Sequence, residues 1–96
     1  MSEEKEVYAG QTIKLTHTFY DFSGNIVDPS THEIVIYDPD GNQLHSSSSP
    51  IKEGDSYYIT YSIPEDAEEG DYKAVWKAEL GSLKWVERIF FSVVRP

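Results

Sequence analysis

Through most of the chain, apolar and polar residues alternate with a period of two, and clusters of turn-forming residues interrupt the alternation roughly every 8 to 12 residues. Successive side chains of a strand point to opposite faces, so this pattern predicts half-buried β-strands. Residues 11–22 form the first long run, with Ile13, Leu15, His17 and Phe19 in one phase. Ser23-Gly24-Asn25 turns the chain, and residues 26–31 make an irregular connection through Pro29. Residues 33–37 place Ile34 and Ile36 inward, and Asp38-Pro39-Asp40-Gly41 closes a tight turn, with Pro presetting φ and Gly supplying positive φ. Residues 43–46 return as a short edge strand. The serine run Ser46 to Ser49, ending at Pro50, reads as a mobile loop. Residues 56–63 point Tyr57, Ile59, Tyr61 and Ile63 one way, and residues 71–79 do the same with Tyr72, Ala74, Trp76 and Ala78. After Gly81-Ser82, residues 83–94 turn Ile89, Phe91 and Val93 inward. Residues 6–8 can pair as a short first strand.

About seven strands at this spacing leave no room for crossover helices, so the expected fold is an all-β, antiparallel, Ig-like Greek-key sandwich. A small closed barrel is the alternative. The only helical signal is one turn at residues 64–69, and no internal repeat is evident. The 96 residues are read as one domain, 1–96, with residues 1–5 a frayed tail.

Charge and composition narrow the partners. The net charge is −9, which argues against nucleic acid and against an anionic membrane surface. There is no cysteine, so disulfides, thiolate metal sites and cysteine nucleophiles are excluded. The opening MSEEKEVYAG has no apolar run and no stretch approaches a membrane span, so neither a signal peptide nor a transmembrane segment is expected. That points to a cytoplasmic or virion location.

The most specific segment is Ile63-Pro64-Glu65-Asp66-Ala67-Glu68-Glu69-Gly70-Asp71-Tyr72. It resembles the tyrosine corner of Greek-key sandwiches, where a Tyr opening the penultimate strand hydrogen-bonds back to the preceding loop. In that reading Gly70 permits the turn, Asp66 caps it and Tyr72 makes the bond. Together with the Asp38–Gly41 turn, the layout from Val7 to Val94 resembles prokaryotic and phage Ig-like modules. These include macroglobulin-type domains, repeats of cell-surface proteins and accessory domains of virion proteins. The resemblance implies a binding or structural role. Antibody-type domains carry a Cys pair and a Trp on the third strand. Here Cys is absent and Trp76 lies on the penultimate strand, so antigen-receptor function is not implied.

No catalytic, metal or cofactor set is expected. His17, His32 and His45 fall in three segments with no pair at ligand spacing. The Asp38, Asp40, Asn42 run lacks the acidic residue that a calcium loop needs six residues after its glycine, Ser47 standing there instead. Asp21, Asp38 or Asp40 binding calcium at a sandwich end is the lesser reading. Ser46 to Ser49 beside His45 lack a rigid base and oxyanion donors, Glu68 and Glu69 read as solvated, and the glycines are too scattered to cradle a phosphate.

The candidate site is a surface instead. In an Ig-like topology the third, penultimate and last strands are neighbours. Their outward residues are Val35 and Tyr37, then Lys73, Val75 and Lys77, then Lys84, Val86, Arg88 and Phe90, which carry four of the eight basic residues. The competing explanation is ordinary β-propensity, with basic stems lying over apolar neighbours. Trp85 and Glu87 share the inward phase of Ile89, so either a bulge near residues 86–88 or an overhang past the core is required. The expected partner is a protein, or a second copy through this face. The alternative is a carbohydrate-type ligand stacking on Tyr20, Tyr37, Tyr58 or Trp85.

Overall fold

The computed structural model describes residues 5–96. Among the described residues eight strands run in chain order: β1 (Lys5–Tyr8), β2 (Thr12–His17), β3 (Thr31–Tyr37), β4 (Gln43–Ser47), β5 (Ile51–Glu53), β6 (Ser56–Ser62), β7 (Gly70–Leu80) and β8 (Leu83–Val94). They form a five-stranded sheet of order β1-β8-β7-β3-β4 facing a three-stranded sheet of order β2-β6-β5. No helix occurs among the described residues, and the 64–69 stretch holds only a turn closed by Ala67 N–H on the Pro64 carbonyl at 3.1 Å.

The core is built mainly from the inward phases read from the alternation, with Tyr57, Tyr61 and Ile89 only partly buried and Ala67 added from the loop after β6. Ile34 and Ile36 of β3, Tyr72, Ala74, Trp76 and Ala78 of β7, and Phe91 and Val93 of β8 are buried from one sheet. Ile13 and Leu15 of β2 and Ile59 of β6 are buried from the other. Burying an aromatic and aliphatic layer between two amphipathic sheets is what drives such a sandwich together.

Several expectations need correction. The strand over residues 11–22 stops at His17, after which the chain leaves the sheet while Phe19 stays fully buried. An unexpected strand, β5, pairs with β6 beyond the serine run, whose Ser46 and Ser47 themselves belong to β4. β1 is parallel to β8, with Val7 opposite Val93, so the sandwich is not wholly antiparallel. Lys5, placed in the frayed tail, is the first residue of β1, and residues 1–4 of that tail lie outside the described residues.

The bulge expected near residues 86–88 is absent. β7 and β8 pair without a shift from Gly70–Val93 to Leu80–Leu83, and the one register shift falls between Ile36 and Tyr37, against β4. The overhang supplies the answer. β7 and β8 have 11 and 12 residues, whereas β2 and β6 opposite have 6 and 7. The long hairpin therefore projects past the small sheet, and the chain leaving β2 folds under it. Trp85 faces inward there, its ring 5.6 Å from that of Phe19 and its indole N–H donating to the Tyr20 carbonyl at 3.0 Å. Glu87 faces the same way but keeps 45% of its side chain in solvent, 3.8 Å from His17 Nε2, so no buried charge arises.

Candidate partner-binding face

β3, β7 and β8 are adjacent, and the register sets their outward side chains in rows. Tyr37, Lys73 and Phe90 make one row; Val35, Val75 and Arg88 the next; Glu33, Lys77 and Val86 the third; Thr31, Glu79 and Lys84 the last. The nine residues anticipated for this face all lie on it, brought together from three strands by pairing alone. Val86 is 63% exposed and Phe90 42%, while Val35, Tyr37 and Val75 are half-buried by their neighbours.

The charges on this face are not neutralised by contact. Among the described residues the ion pairs are Lys14–Glu53, His17–Glu87 and Lys52–Asp28, none of which uses Lys73, Lys77, Lys84 or Arg88. Two of the cations lie over rings instead: the Lys73 ammonium 5.3 Å from the Tyr37 centroid and the Arg88 guanidinium 5.8 Å from that of Phe90. The basic stems thus shade the aromatics in part, as the competing explanation requires, yet leave both cations without an ion-pair partner among the described residues. A depression of about 380 Å³ lies at the Lys84–Val86 end and one of about 280 Å³ at the Lys73–Phe90 end.

The β6–β7 loop is built from the residues singled out earlier. The Tyr72 hydroxyl donates to the Glu68 carbonyl at 2.6 Å, and its ring stacks on Phe91 with centroids 5.5 Å apart. Burial holds the hydroxyl above the usual tyrosine range, so it stays a donor. Gly70 has φ +142°, and a Cβ there would lie 2.9 Å from Pro39 Cγ, so its lack of a side chain lets the β3–β4 turn pack against it. Asp66 is exposed and makes no side-chain hydrogen bond among the described residues, so the cap assigned to it is not present.

The remaining candidates part company. Asp38, Asp40 and Glu68 bring carboxylate oxygens within 4.8 Å of one another, while Asp21 sits at the opposite end of β3. The repulsion from Asp40 raises the pKa of Glu68. Asp38 is already engaged, its Oδ1 accepting the Asp40 and Asn42 N–H groups at 3.0 and 2.8 Å. The histidines do not converge as ligands. His17 and His32 flank Phe19 and Trp76, and His45 lies 5.4 Å from Tyr61. His32 Nδ1 accepts the Trp76 indole N–H at 3.1 Å, leaving a buried Nε2 without a partner among the described residues. Burial lowers the pKa of both His17 and His32. Of the four aromatics considered for ligand stacking, Trp85 points inward, the Lys14 ammonium sits 4.3 Å over Tyr58, and Tyr37 carries Lys73; Tyr20 is 52% exposed.

Comparison with known proteins decides the family. The family model for the MG2 domain matches residues 2–90. The chain belongs to the MG2 domain family. No curated protein sequence matches it. Among solved structures, this MG2 domain is similar to Escherichia coli alpha-2-macroglobulin activated by porcine elastase, with a TM-score of 0.74 and 21% identity over 94% of this chain and 8% of that one. It is likewise similar to trypsin-activated alpha-2-macroglobulin from Escherichia coli, with a TM-score of 0.73 and 20% identity over 97% of this chain and 6% of that one. The MG2 domain thus spans less than a tenth of either chain, and at this identity the likeness concerns the fold. An MG2 domain is a non-catalytic structural and interaction module of macroglobulin-like proteins.

Proposed function

We propose that this MG2 domain works by surface complementarity within a prokaryotic macroglobulin-like assembly, and that the outer face of β3, β7 and β8 is where it meets another protein surface. The observation that carries this is the pairing of Lys73 and Arg88 with Tyr37 and Phe90. Cations and half-exposed apolar groups share contiguous rows, with no ion pair to a carboxylate among the described residues although Glu33 and Glu79 stand in the Lys77 and Lys84 rows, on a chain of net charge −9. Such a face suits an acidic partner surface with apolar centres, the cations steering the encounter and the rings supplying contact area. The fold-level likeness to bacterial alpha-2-macroglobulin supports the assembly reading over a virion component. The Tyr72–Glu68 bond is read as a tyrosine corner that fixes the β6–β7 loop and, through Gly70 and Pro39, the β3–β4 turn beside the face.

Tyr37→Glu combined with Phe90→Glu tests the reading without touching the core. The double variant is expected to keep the wild-type melting temperature and to lose the partner in sedimentation and pull-down. A variant that folds and associates as before refutes the face.

A further inference from the structure

Asp21-Phe22-Ser23-Gly24-Asn25 and Asp38-Pro39-Asp40-Gly41-Asn42 are one turn built twice. In each, the aspartate N–H donates to the asparagine carbonyl at 2.9 Å, and the glycine N–H donates back to the aspartate carbonyl, at 3.1 and 3.0 Å respectively. Asp21 Oδ1 accepts the N–H groups two and four residues on, both at 2.9 Å, as Asp38 Oδ1 does at 3.0 and 2.8 Å. The asparagine side chains return to Oδ2 at 3.4 and 3.3 Å, and the glycines have φ of +85° and +87°. Both turns are closed by their own hydrogen bonds.

They differ in what the second residue meets. Pro39 is seated on Gly70 of the same chain, so closely that a Cβ on Gly70 would collide with its ring. Phe22, at the equivalent place, is 98% exposed. The stem beneath it is pinned: Val27 N–H donates to the carbonyl of buried Phe19 at 3.0 Å, and the Trp85 indole holds the Tyr20 carbonyl at 3.0 Å. Tyr20 and Ile26 pair across the stem and stand 52% and 45% exposed. A single exposed apolar residue on a loose loop needs no explanation. A phenylalanine whose backbone is held by a doubly bonded turn, with its ring in water beside two further exposed apolar groups, is an apolar side chain presented at a fixed place with nothing to touch. Pre-ordered aromatic side chains that enter a pocket are the usual anchors of protein contacts.

We propose that Phe22, flanked by Tyr20 and Ile26, is an anchor that inserts into an apolar pocket with a cationic rim on another protein. Charge selects that partner. Of the eight basic residues, four stand on the outer sheet face, and Lys14 and Lys52 are spent in ion pairs with Glu53 and Asp28, which leaves only Lys5 and Arg95 against the acidic majority of the remaining surface. A second copy of a −9 chain is repelled, whereas a cationic rim is attracted. This contact lies at the end of the sandwich opposite the Asp38–Asn42 turn and does not depend on the outer face.

The test places the photoreactive analogue p-benzoylphenylalanine at position 22 of the full-length protein in the cells that make it, with Thr60 as the control position. The expected result is a crosslink from position 22, absent from position 60, that maps to apolar residues flanked by Lys or Arg on a different protein. That protein, purified, is expected to bind wild type at least about tenfold more tightly than Phe22→Ser. Phe22→Ser is expected to melt with wild type, because its ring touches no core. Asp21→Ala, which keeps the ring but releases the turn, is expected to weaken binding severalfold. The outer-face variant Tyr37→Glu with Phe90→Glu is expected to retain the contact. No crosslink, a crosslink within the same chain or to a second copy, or equal affinity for Phe22→Ser overturns the proposal.

Discussion

Replacing Tyr72 by Phe removes one hydrogen bond and leaves the rest of its environment in place. Tyr72 is 2% exposed and its ring stacks on Phe91, so the buried apolar surface and the stack survive the change. What is lost is the hydroxyl that donates to the Glu68 carbonyl at 2.6 Å. A net hydrogen bond contributes about 0.5–1.5 kcal/mol, and a buried acceptor left unpaired costs about 1–3 kcal/mol. Glu68 is an exposed residue and the bond is only part-buried, so the expected loss sits near ~1 kcal/mol. With a denaturant slope of about 1 kcal/mol per molar urea, the midpoint falls by about 1 M at unchanged slope. The melting temperature falls by about 4–8 °C. Tyr57→Phe is the control. Its hydroxyl reaches Asp28 at 3.0 Å on the surface, where Lys52 also holds the carboxylate at 2.8 Å, so its loss is expected to stay within about 0.5 kcal/mol. Equilibrium urea unfolding of both variants decides the matter. If Tyr72→Phe moves the midpoint no further than Tyr57→Phe, the corner does not hold the β6–β7 loop.

Three further expectations concern other parts of the molecule. His17 and His32 are favoured neutral by burial, so their contribution is complete above the ordinary histidine pKa of about 6.5 and is lost as pH falls from there through the lowered folded values. A protonated His32 Nδ1 also cannot accept the Trp76 indole N–H, so a urea midpoint that stays flat from pH 7.5 to pH 5 contradicts the assignment. Gly70→Ala combines a φ of +142° with a collision against Pro39 and is expected to cost about 1–3 kcal/mol; Pro39→Ala in the same background is expected to recover only the collision, and a neutral single variant refutes the packing. EDTA is expected to leave the melting temperature unchanged, because Asp38 already serves the turn; a fall of several degrees, reversed by calcium, makes Asp38, Asp40 and Glu68 a ligand set after all.

The candidate face was readable because it depends on phase alone. Once β3, β7 and β8 are neighbours, every second residue of each lies outside, and Val35, Tyr37, Lys73, Val75, Lys77, Lys84, Val86, Arg88 and Phe90 follow. The repeated Asp-x-x-Gly-Asn turn is equally present in the sequence, but the alternation over residues 11–22 continues into its first two residues and assigns Phe22 to a strand. Alternation carries no mark of where a strand leaves its sheet.

Which side chains face inward, where the tight turns fall and the lack of a helix among the described residues are local consequences of a two-residue period and of glycine and proline chemistry, and so are legible in the sequence. Tertiary structure decided the rest. The three residues of β5 are all exposed and have no alternation to reveal them, so only the edge of β6 makes them a strand. That β1 docks on the edge of β8, and in parallel, is a matter of chain topology that local alternation does not carry. Glu87 and Trp85 are accommodated inward because one sheet is longer than the other, and sheet length becomes a constraint only when two sheets face each other. Phe22 is bare for the same kind of reason: its turn is encoded locally, but whether a neighbouring element offers the ring a seat, as Gly70 does for Pro39, is settled only when the chain has folded.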